Sequence, residues 1–332
     1  MTKERVGILG LGSYLPSKVL TNFDIEKMVD TSDEWIRTRT GIRERRIAEK
    51  GTATSDLATR AAKIAIKNAG LKATDLGLII CATISPDMSF PATACVIQRK
   101  IGAKCPAFDL AAACSGFPFA LAVAEGFIRA KMYQYILVMG AEVISNFINW
   151  KDRSTCVLFG DGAGAAVLGP ARKDGNYIIS SFLGSDGKQS DFLKIPAGGS
   201  AIPTTKESLE AGLHFVQMEG SEVFKSAVKT MSEAVTEVLK RAGATVDEID
   251  CLIPHQANLR ILNAVANRIH LPIEKVFINL DRYGNMSAAS TAVALDEASK
   301  NGMIKKHSLV VIVAFGSGFT WAANAIRWGS IV

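Results

Sequence analysis

The stretch Phe108-Asp-Leu-Ala-Ala-Ala-Cys114-Ser-Gly-Phe117 governs the reading of this chain. Small residues crowd the cysteine on its N-terminal side, and an apolar run resumes beyond Gly116 with Phe117, Phe119, Leu121 and Val123. The pattern predicts a strand or tight turn that delivers a thiol to the first turn of a buried helix. A helix N-terminus carries about half a positive charge and presents free N–H groups. A thiol held there is expected to lose its proton more readily and to act as a nucleophile. The local sequence is equally compatible with Cys114 as a small core residue, because free cysteine is among the most buried residue types. The rest of the chain decides between the two.

Outward from Cys114, strands and helices alternate. Val6–Leu11 reads as a strand, Ser55–Asn68 as a helix stopped at Gly70, and Leu76–Ala82 as a strand buried on both faces. Ser115–Ala130 reads as a helix, Tyr135–Gly140 as another buried strand, and Ala163–Leu168 as one more after the turn Gly160-Asp-Gly-Ala-Gly164. The second half repeats the order: helix Ser221–Ala242, strand Asp250–Pro254, helix Ala257–Ile269, helix Ser287–Lys300 and strand Leu309–Phe315. Cys114-Ser-Gly with its helix, basic turn and strand Tyr135-Ile-Leu-Val-Met-Gly140 parallels Met286-Ser-Ala with its helix, basic turn and strand Leu309-Val-Val-Ile-Val-Ala-Phe-Gly316. We read this as an internal duplication, with halves at 1–172 and 173–332. The stretch Gly169–Gly220, richer in Gly, Ser and Pro, is expected to carry the loops between them.

The chain has 332 residues, 48% hydrophobic and 21% charged, as in ordinary soluble globular proteins. Its start lacks a basic segment followed by a long apolar run, so no secretory signal is expected. The longest apolar runs are strand-length, too short to span a bilayer, so no membrane partner is expected. Six cysteines are scattered without a C-x-x-C pair, which argues against a zinc or redox motif and for free thiols in a reducing cytoplasm. The net charge of +6 comes without a dense basic stripe, which disfavours nucleic acid and fits an acidic small molecule or acidic protein partner.

Three further stretches carry chemistry. In Leu252-Ile-Pro-His-Gln-Ala-Asn-Leu-Arg260 a histidine follows directly on a buried strand, where open α/β sheets place their sites. In Leu280-Asp-Arg-Tyr-Gly-Asn-Met-Ser-Ala-Ala-Ser290, Asn285 precedes a helix of small residues; a plain N-cap or turn role is the alternative. In Ala314-Phe-Gly-Ser-Gly-Phe-Thr-Trp321 a buried strand runs into Gly-Ser-Gly, where the backbone can approach a ligand or another chain closely.

These motifs occur together and in order with Met28-Val-Asp-Thr-Ser-Asp-Glu-Trp-Ile-Arg-Thr-Arg-Thr-Gly-Ile-Arg-Glu-Arg45. From Gly7 to about Trp328 the chain resembles the condensing enzymes of the thiolase superfamily, and within them the β-ketoacyl-acyl-carrier-protein synthase III family, acyltransferases that start type II fatty-acid synthesis. The resemblance implies an α/β, thiolase-like fold of two duplicated halves in five layers, α-β-α-β-α. It implies acyl transfer from an acyl-coenzyme A primer to Cys114, then decarboxylative condensation with malonyl-acyl-carrier protein. His255 and Asn285 match the two neutral donors that stabilise the enolate. The N–H of Cys114 and one from the turn Gly316–Gly318 match the oxyanion hole. No metal or other cofactor is implied, the coenzyme A thioester being a substrate.

The resemblance extends to binding residues. Trp35 and Arg153 match the pair that stacks around adenine, and Thr31, Arg39, Lys225 and Asn258 match positions along the nucleotide and pantetheine arm. On local sequence alone Trp35 reads as amphipathic packing and Arg39 as a solvated charge. Arg260 matches a residue that guides carrier protein, with Arg268 and Lys275 as possible extensions; where relatives often carry two basic residues, this chain has Asn267-Arg268. Phe90 matches a residue that reaches across a homodimer to close the primer pocket; alternatively it is a locally packed loop residue.

Gly7-Ile-Leu-Gly-Leu-Gly12 is not a dinucleotide loop, because the third glycine is misplaced and Pro16 stands where a helix would open. Gly160–Gly164 lacks the Gly-Lys-Ser/Thr of a phosphate loop and is expected to pack one half against the other. The order Cys, His, Asn also fits a papain-like hydrolase, but the expected Cys-Gly-Ser/Ala-Cys surroundings are missing. A thiolase would carry a second cysteine in the last glycine turn, where this chain has Ser317; an elongating synthase would carry histidine at Asn285. A catalytically silent carrier-binding subunit would not need Cys114, His255 and Asn285 together.

Overall fold

Runs of β-branched and aliphatic residues, fully buried in the central strands, build two sheets, and amphipathic helices cover them. The computed structural model describes residues 5–329. Residues 1–4, which bear on the reading of the N-terminus, and 330–332 lie outside the described residues. In chain order the main elements are β1 (Val6–Tyr14), α1 (Asp33–Thr40), α2 (Thr54–Asn68), β2 (Leu78–Ala82), α3 (Thr93–Ile101), β3 (Ala107–Leu110), α4 (Gly116–Arg129), β4 (Ile136–Glu142), β5 (Gly162–Pro170), β6 (Tyr177–Ser185), α5 (Gly220–Ala242), β7 (Cys251–Pro254), α6 (Leu259–Arg268), α7 (Ala289–Lys300), β8 (Leu309–Gly316) and β9 (Thr320–Arg327).

The first sheet has the order β1-β5-β4-β2-β3, and the second β7-β8-β9-β6. Strands β3, β2 and β4 run parallel, with Ala82 opposite both Leu110 and Gly140. Strands β7 and β8 are also parallel, with Pro254 opposite Val313. All five residues of β2, all seven of β4 and all eight of β8 are buried, as continuous apolar runs in a two-sided sheet require.

Helices α4 and α7 fill the space between the sheets: Phe117, Leu121 and Ala124 share one core with Val138, Leu295, Ile312 and Ile326. Helices α2 and α3 cover the outer face of the first sheet, and α5 and α6 that of the second. The layers are therefore α-β-α-β-α. Pro118 lies in the first turn of α4, where its missing N–H would have no partner in any case. Helix α5 stops where Gly243 turns left-handed, with φ of 66°.

Two expectations need adjustment. The stretch Gly169–Gly220, expected to carry loops, also contains β6, the edge strand of the second sheet. Its side chains alternate incompletely and include Ser180 and Ser181, so no apolar period marks it. The glycine run Gly160–Gly164 is a strand entry, not a turn, because β5 starts at Gly162. A methyl group at Gly164 would stand 2.5 Å from the Ala292 Cβ, so only glycine lets α7 lie flat on the first sheet.

Candidate active site

The parallel strands of both sheets end at one cavity. Cys114 lies four residues past the end of β3, His255 directly follows Pro254 at the end of β7, and Gly316 is the last residue of β8. Asn285 is brought in by a bridge to Phe159 beyond the two sheets. All four residues line one cavity of about 830 Å³, together with Gly318, Arg39, Lys225, Asn258 and Arg260.

Cys114 sits in the 3₁₀ turn Ala113–Ser115 at the entrance to α4. The preceding Ala113 has φ of 45°, a conformation that costs a non-glycine residue about 1–3 kcal/mol and is met mostly at functional turns. The thiol is 6% exposed. Burial pushes it up to about 12; the adjacent Ser287 hydroxyl opposes that shift and the Glu142 carboxylate adds to it. This corrects the expectation of an acidified thiol: the start of α4 is too weak a positive end to offset removal from water. At rest Cys114 carries its proton.

His255 is 3% exposed, its backbone N–H bonds the Val313 carbonyl at 2.7 Å, and its Nδ1 has no partner. Burial alone lowers it to about 3, so the ring is neutral throughout the physiological range. Asn285 is held on both backbone sides, its N–H to the Leu158 carbonyl at 2.8 Å and its carbonyl accepting from Gly160 N–H at 3.0 Å. Its Oδ1 accepts the Ser287 N–H at 2.8 Å, which leaves the amide NH₂ as the free end of the side chain. The site thus offers a nucleophile and two neutral donors. Such a set can stabilise an anion on oxygen without placing a cation in the cavity.

Gly316 faces Cys114 closely: a methyl group there would come within 2.6 Å of the Cys114 backbone nitrogen. Glycine keeps the space in front of that N–H open.

The remaining candidates divide. At the mouth, Arg260 lies over the Phe224 ring at 5.6 Å, and Lys225 pairs with Glu222 at 2.8 Å. Asn258 caps α6 by accepting from Ile261 N–H at 3.0 Å. Trp35 and Arg153 are not part of the cavity lining, but they pack on each other, the guanidinium 4.9 Å from the ring and anchored on the Asp30 carbonyl at 3.0 Å. Thr31, nearby, has a buried hydroxyl without a partner. Arg268 is exposed on α6 and does not reach the cavity, nor does Lys275, whose Nζ bonds the Asp247 carbonyl. Phe90 is 85% exposed.

Sequence reasoning passed over three residues at the site: Ser287, Thr320 and Glu142. The first two stand inside quoted motifs, where only spatial contact singles them out. Glu142, at the end of β4, is fully buried and accepts from Ser85 Oγ at 2.6 Å and Thr83 Oγ1 at 3.0 Å. Among the described residues, no cluster of three or more His, Cys, Asp or Glu is placed to hold a metal ion, and no helix is long and apolar enough to cross a membrane.

Comparison with known proteins fits this arrangement. Residues 108–187 match the family described as 3-oxoacyl-(acyl-carrier-protein) synthase III, and residues 239–328 match its C-terminal family. A β-ketoacyl-(acyl-carrier-protein) synthase III of Caldanaerobacter subterraneus subsp. tengcongensis is 58% identical, with 98% of each chain covered. One of Clostridioides difficile is 54% identical over 98% of each chain. The crystal structure of 3-oxoacyl-(acyl-carrier-protein) synthase III from Aquifex aeolicus superposes with a TM-score of 0.90 at 46% identity, covering 97% of this chain and 100% of that one.

Proposed function

Since the chain belongs to the β-ketoacyl-(acyl-carrier-protein) synthase III family, we propose a residue-by-residue account of how it performs that family's reaction. The chain is a condensing acyltransferase with the fold of these enzymes, and it makes the initiating condensation of fatty-acid synthesis. Cys114 attacks the thioester carbonyl of an acyl-coenzyme A primer. The tetrahedral oxyanion is met by the N–H of Cys114 and an N–H of the turn Gly316–Gly318. The proton released by the thiol is the one the departing coenzyme A thiolate needs, so the exchange is neutral overall.

Malonyl-acyl-carrier protein then loses carbon dioxide. The electron pair of the broken bond moves toward the thioester oxygen, where the His255 ring N–H and the Asn285 amide donate to it. The enolate carbon attacks the acyl-Cys114 carbonyl, and collapse of that intermediate expels the sulfur. A donor that titrated between pH 5 and 9 would gain or lose capacity here; a neutral imidazole and an amide do not. The sulfur leaves as a thiolate and takes one proton from water, which restores the resting thiol and closes the balance; the scheme calls for no metal or cofactor.

Trp35 and Arg153 take the adenine between flat faces, Thr31, Arg39, Lys225 and Asn258 guide the nucleotide and pantetheine, and Arg260 with Arg268 receives the acidic carrier protein. Phe90 inserts into the primer pocket of a second copy in a homodimer, which accounts for so large an apolar side chain standing in water. The enzyme works in the cytoplasm, with no nucleic-acid or membrane partner.

The observation that supports this reading most is the meeting of Cys114, His255 and Asn285 on one cavity, with the ring held neutral. Intact-protein mass spectrometry tests it. After mixing with acetyl-, propionyl-, isobutyryl- and octanoyl-coenzyme A, the wild type is expected to gain an acyl mass that Cys114→Ser does not. A folded wild type with a reactive thiol and no adduct from any thioester overturns it.

A further inference from the structure

The turn that faces Cys114 belongs to the second sheet, yet it is tied to the nucleophile's own loop by two hydroxyls some 200 residues apart. Thr320 Oγ1 lies 2.9 Å from the Ala112 carbonyl, 2.8 Å from Ser115 Oγ and 3.1 Å from the Ser317 carbonyl. Ser115 is fully buried, and its Oγ also lies 2.7 Å from the Ala112 carbonyl. Each hydroxyl has one proton to give. Two hydroxyl oxygens 2.8 Å apart need a proton between them. Whichever of the two hydroxyls supplies that proton, the other is left to donate to the Ala112 carbonyl, and the pair closes a bridge from β9 to the loop.

That bridge spans the two sources of oxyanion donors. On one side Ala112 leads into Ala113, with φ of 45°, and the Cys114 N–H. On the other, Thr320 pairs with Gly316 across β8 and β9 and contacts Ser317 within the turn. Ser317 Oγ anchors the far side of the turn on the Leu193 carbonyl. Nothing covalent fixes the distance between the two N–H groups. The Cys114 loop is held in a strained conformation, which relaxes unless its surroundings determine it. An oxyanion hole works only while its donors stay about 2.7–3.1 Å from one point.

We infer that Thr320, with Ser115 as its partner, is a positioning residue that sets the spacing of the oxyanion hole by tying the turn Gly316–Gly318 to the Cys114 loop. The inference rests on the function proposed above. Its test separates reactions of the same thiol. Transfer from acetyl- or isobutyryl-coenzyme A passes through a tetrahedral oxyanion; alkylation by iodoacetamide is a displacement at saturated carbon and does not. In Thr320→Val, single-turnover acylation of Cys114 is expected to fall at least about tenfold, a fraction of the loss when a whole donor is removed. Alkylation is expected to stay within about threefold of wild type, because displacement at saturated carbon makes no use of the oxyanion donors. Thr320→Ser, which keeps the hydroxyl, is expected to restore acylation. Should Thr320→Val not fold, Ser115→Ala removes the other end of the bridge with less change in shape and carries the same two readouts. Unchanged acylation, or acylation and alkylation falling together, overturns the inference. A wild type that is alkylated but never acylated overturns the proposed function first, and this inference with it.

Discussion

Asn285→Asp tests the division of labour at the site most sharply, because it changes one atom and leaves the packing. The wild-type Oδ1 already accepts the Ser287 N–H at 2.8 Å, and an aspartate keeps that acceptor, so the loop between Gly284 and Ser287 retains its anchor. What changes is the other end, where an NH₂ donor becomes an oxygen acceptor. Losing one preorganised donor to a developing oxyanion costs about 2.7–4 kcal/mol, or roughly 10²–10³ in rate. Asn285 is 7% exposed, so a carboxylate there would add repulsion toward the enolate that water screens poorly. Malonyl decarboxylation is therefore expected to fall by at least about 10²-fold, while acylation of Cys114, which uses backbone donors, stays within about threefold. Burial also raises the new carboxyl group above the ordinary range, and its protonated form can donate, so decarboxylation is expected to recover partly as pH falls toward 5. The assay follows release of labelled carbon dioxide from malonyl-acyl-carrier protein, alongside the acyl mass on Cys114 in the same preparation. Decarboxylation within fivefold of wild type, or an equal loss in both steps, refutes the assignment.

Trp35→Ala removes one flat face of the pair with Arg153; with base stacking worth about 1–3 kcal/mol, KM for acyl-coenzyme A should rise roughly tenfold at unchanged kcat. An unchanged KM in steady-state kinetics would place the purine elsewhere. For Glu142, burial raises the carboxyl to about 7, against hydrogen bonds from Ser85, Ile84 and Thr83 that lower it. Its folded value stands above its ordinary 4.5, so its stabilising contribution is present below 4.5 and is lost as pH rises through 7, by about 3 kcal/mol in all. Glu142→Gln removes that dependence: chemical denaturation at pH 5 and pH 8 is expected to show wild type losing stability relative to the variant at the higher pH. Parallel behaviour of the two proteins would mean that Glu142 is already ionised at pH 5. His255 titrates in the opposite sense but is present in both, so it cancels from the comparison.

What was legible in the sequence follows from what leaves a local mark. Buried strands do, because β2, β4 and β8 bury both faces and read as unbroken apolar runs. So do long helices with stops, such as Gly220–Ala242 before Gly243. His255 was legible because it directly follows such a strand, and Asn285 because a glycine turn and a small-residue helix bracket it. The strand Tyr177–Ser185 was not: an edge strand with half-exposed serines has no strong period. Ala107–Leu110 was legible in part: the stretch from Phe108 read as a strand or a tight turn, and four half-buried residues are too few for a period to decide between them.

The thiol marks the deeper limit. The sequence places Cys114 beside a helix N-terminus, a local fact that argues for a lowered pKa. Its burial is set by remote segments of the chain, Gly316 among them, and burial outweighs the hydrogen bond from Ser287. The consequence reaches the mechanism. A thiol that stays protonated at rest is alkylated and oxidised slowly, because both reactions go through the thiolate. On the proposed function its reactivity comes from the bound substrate and from the proposed oxyanion donors, which are useful only when a thioester carbonyl sits between Cys114 and Gly316. Geometry, rather than a permanently activated sulfur, is what this site supplies. That is why the spacing of the Gly316–Gly318 turn, and the hydroxyls that tie it down, should weigh more on acyl transfer than the acidity of the cysteine.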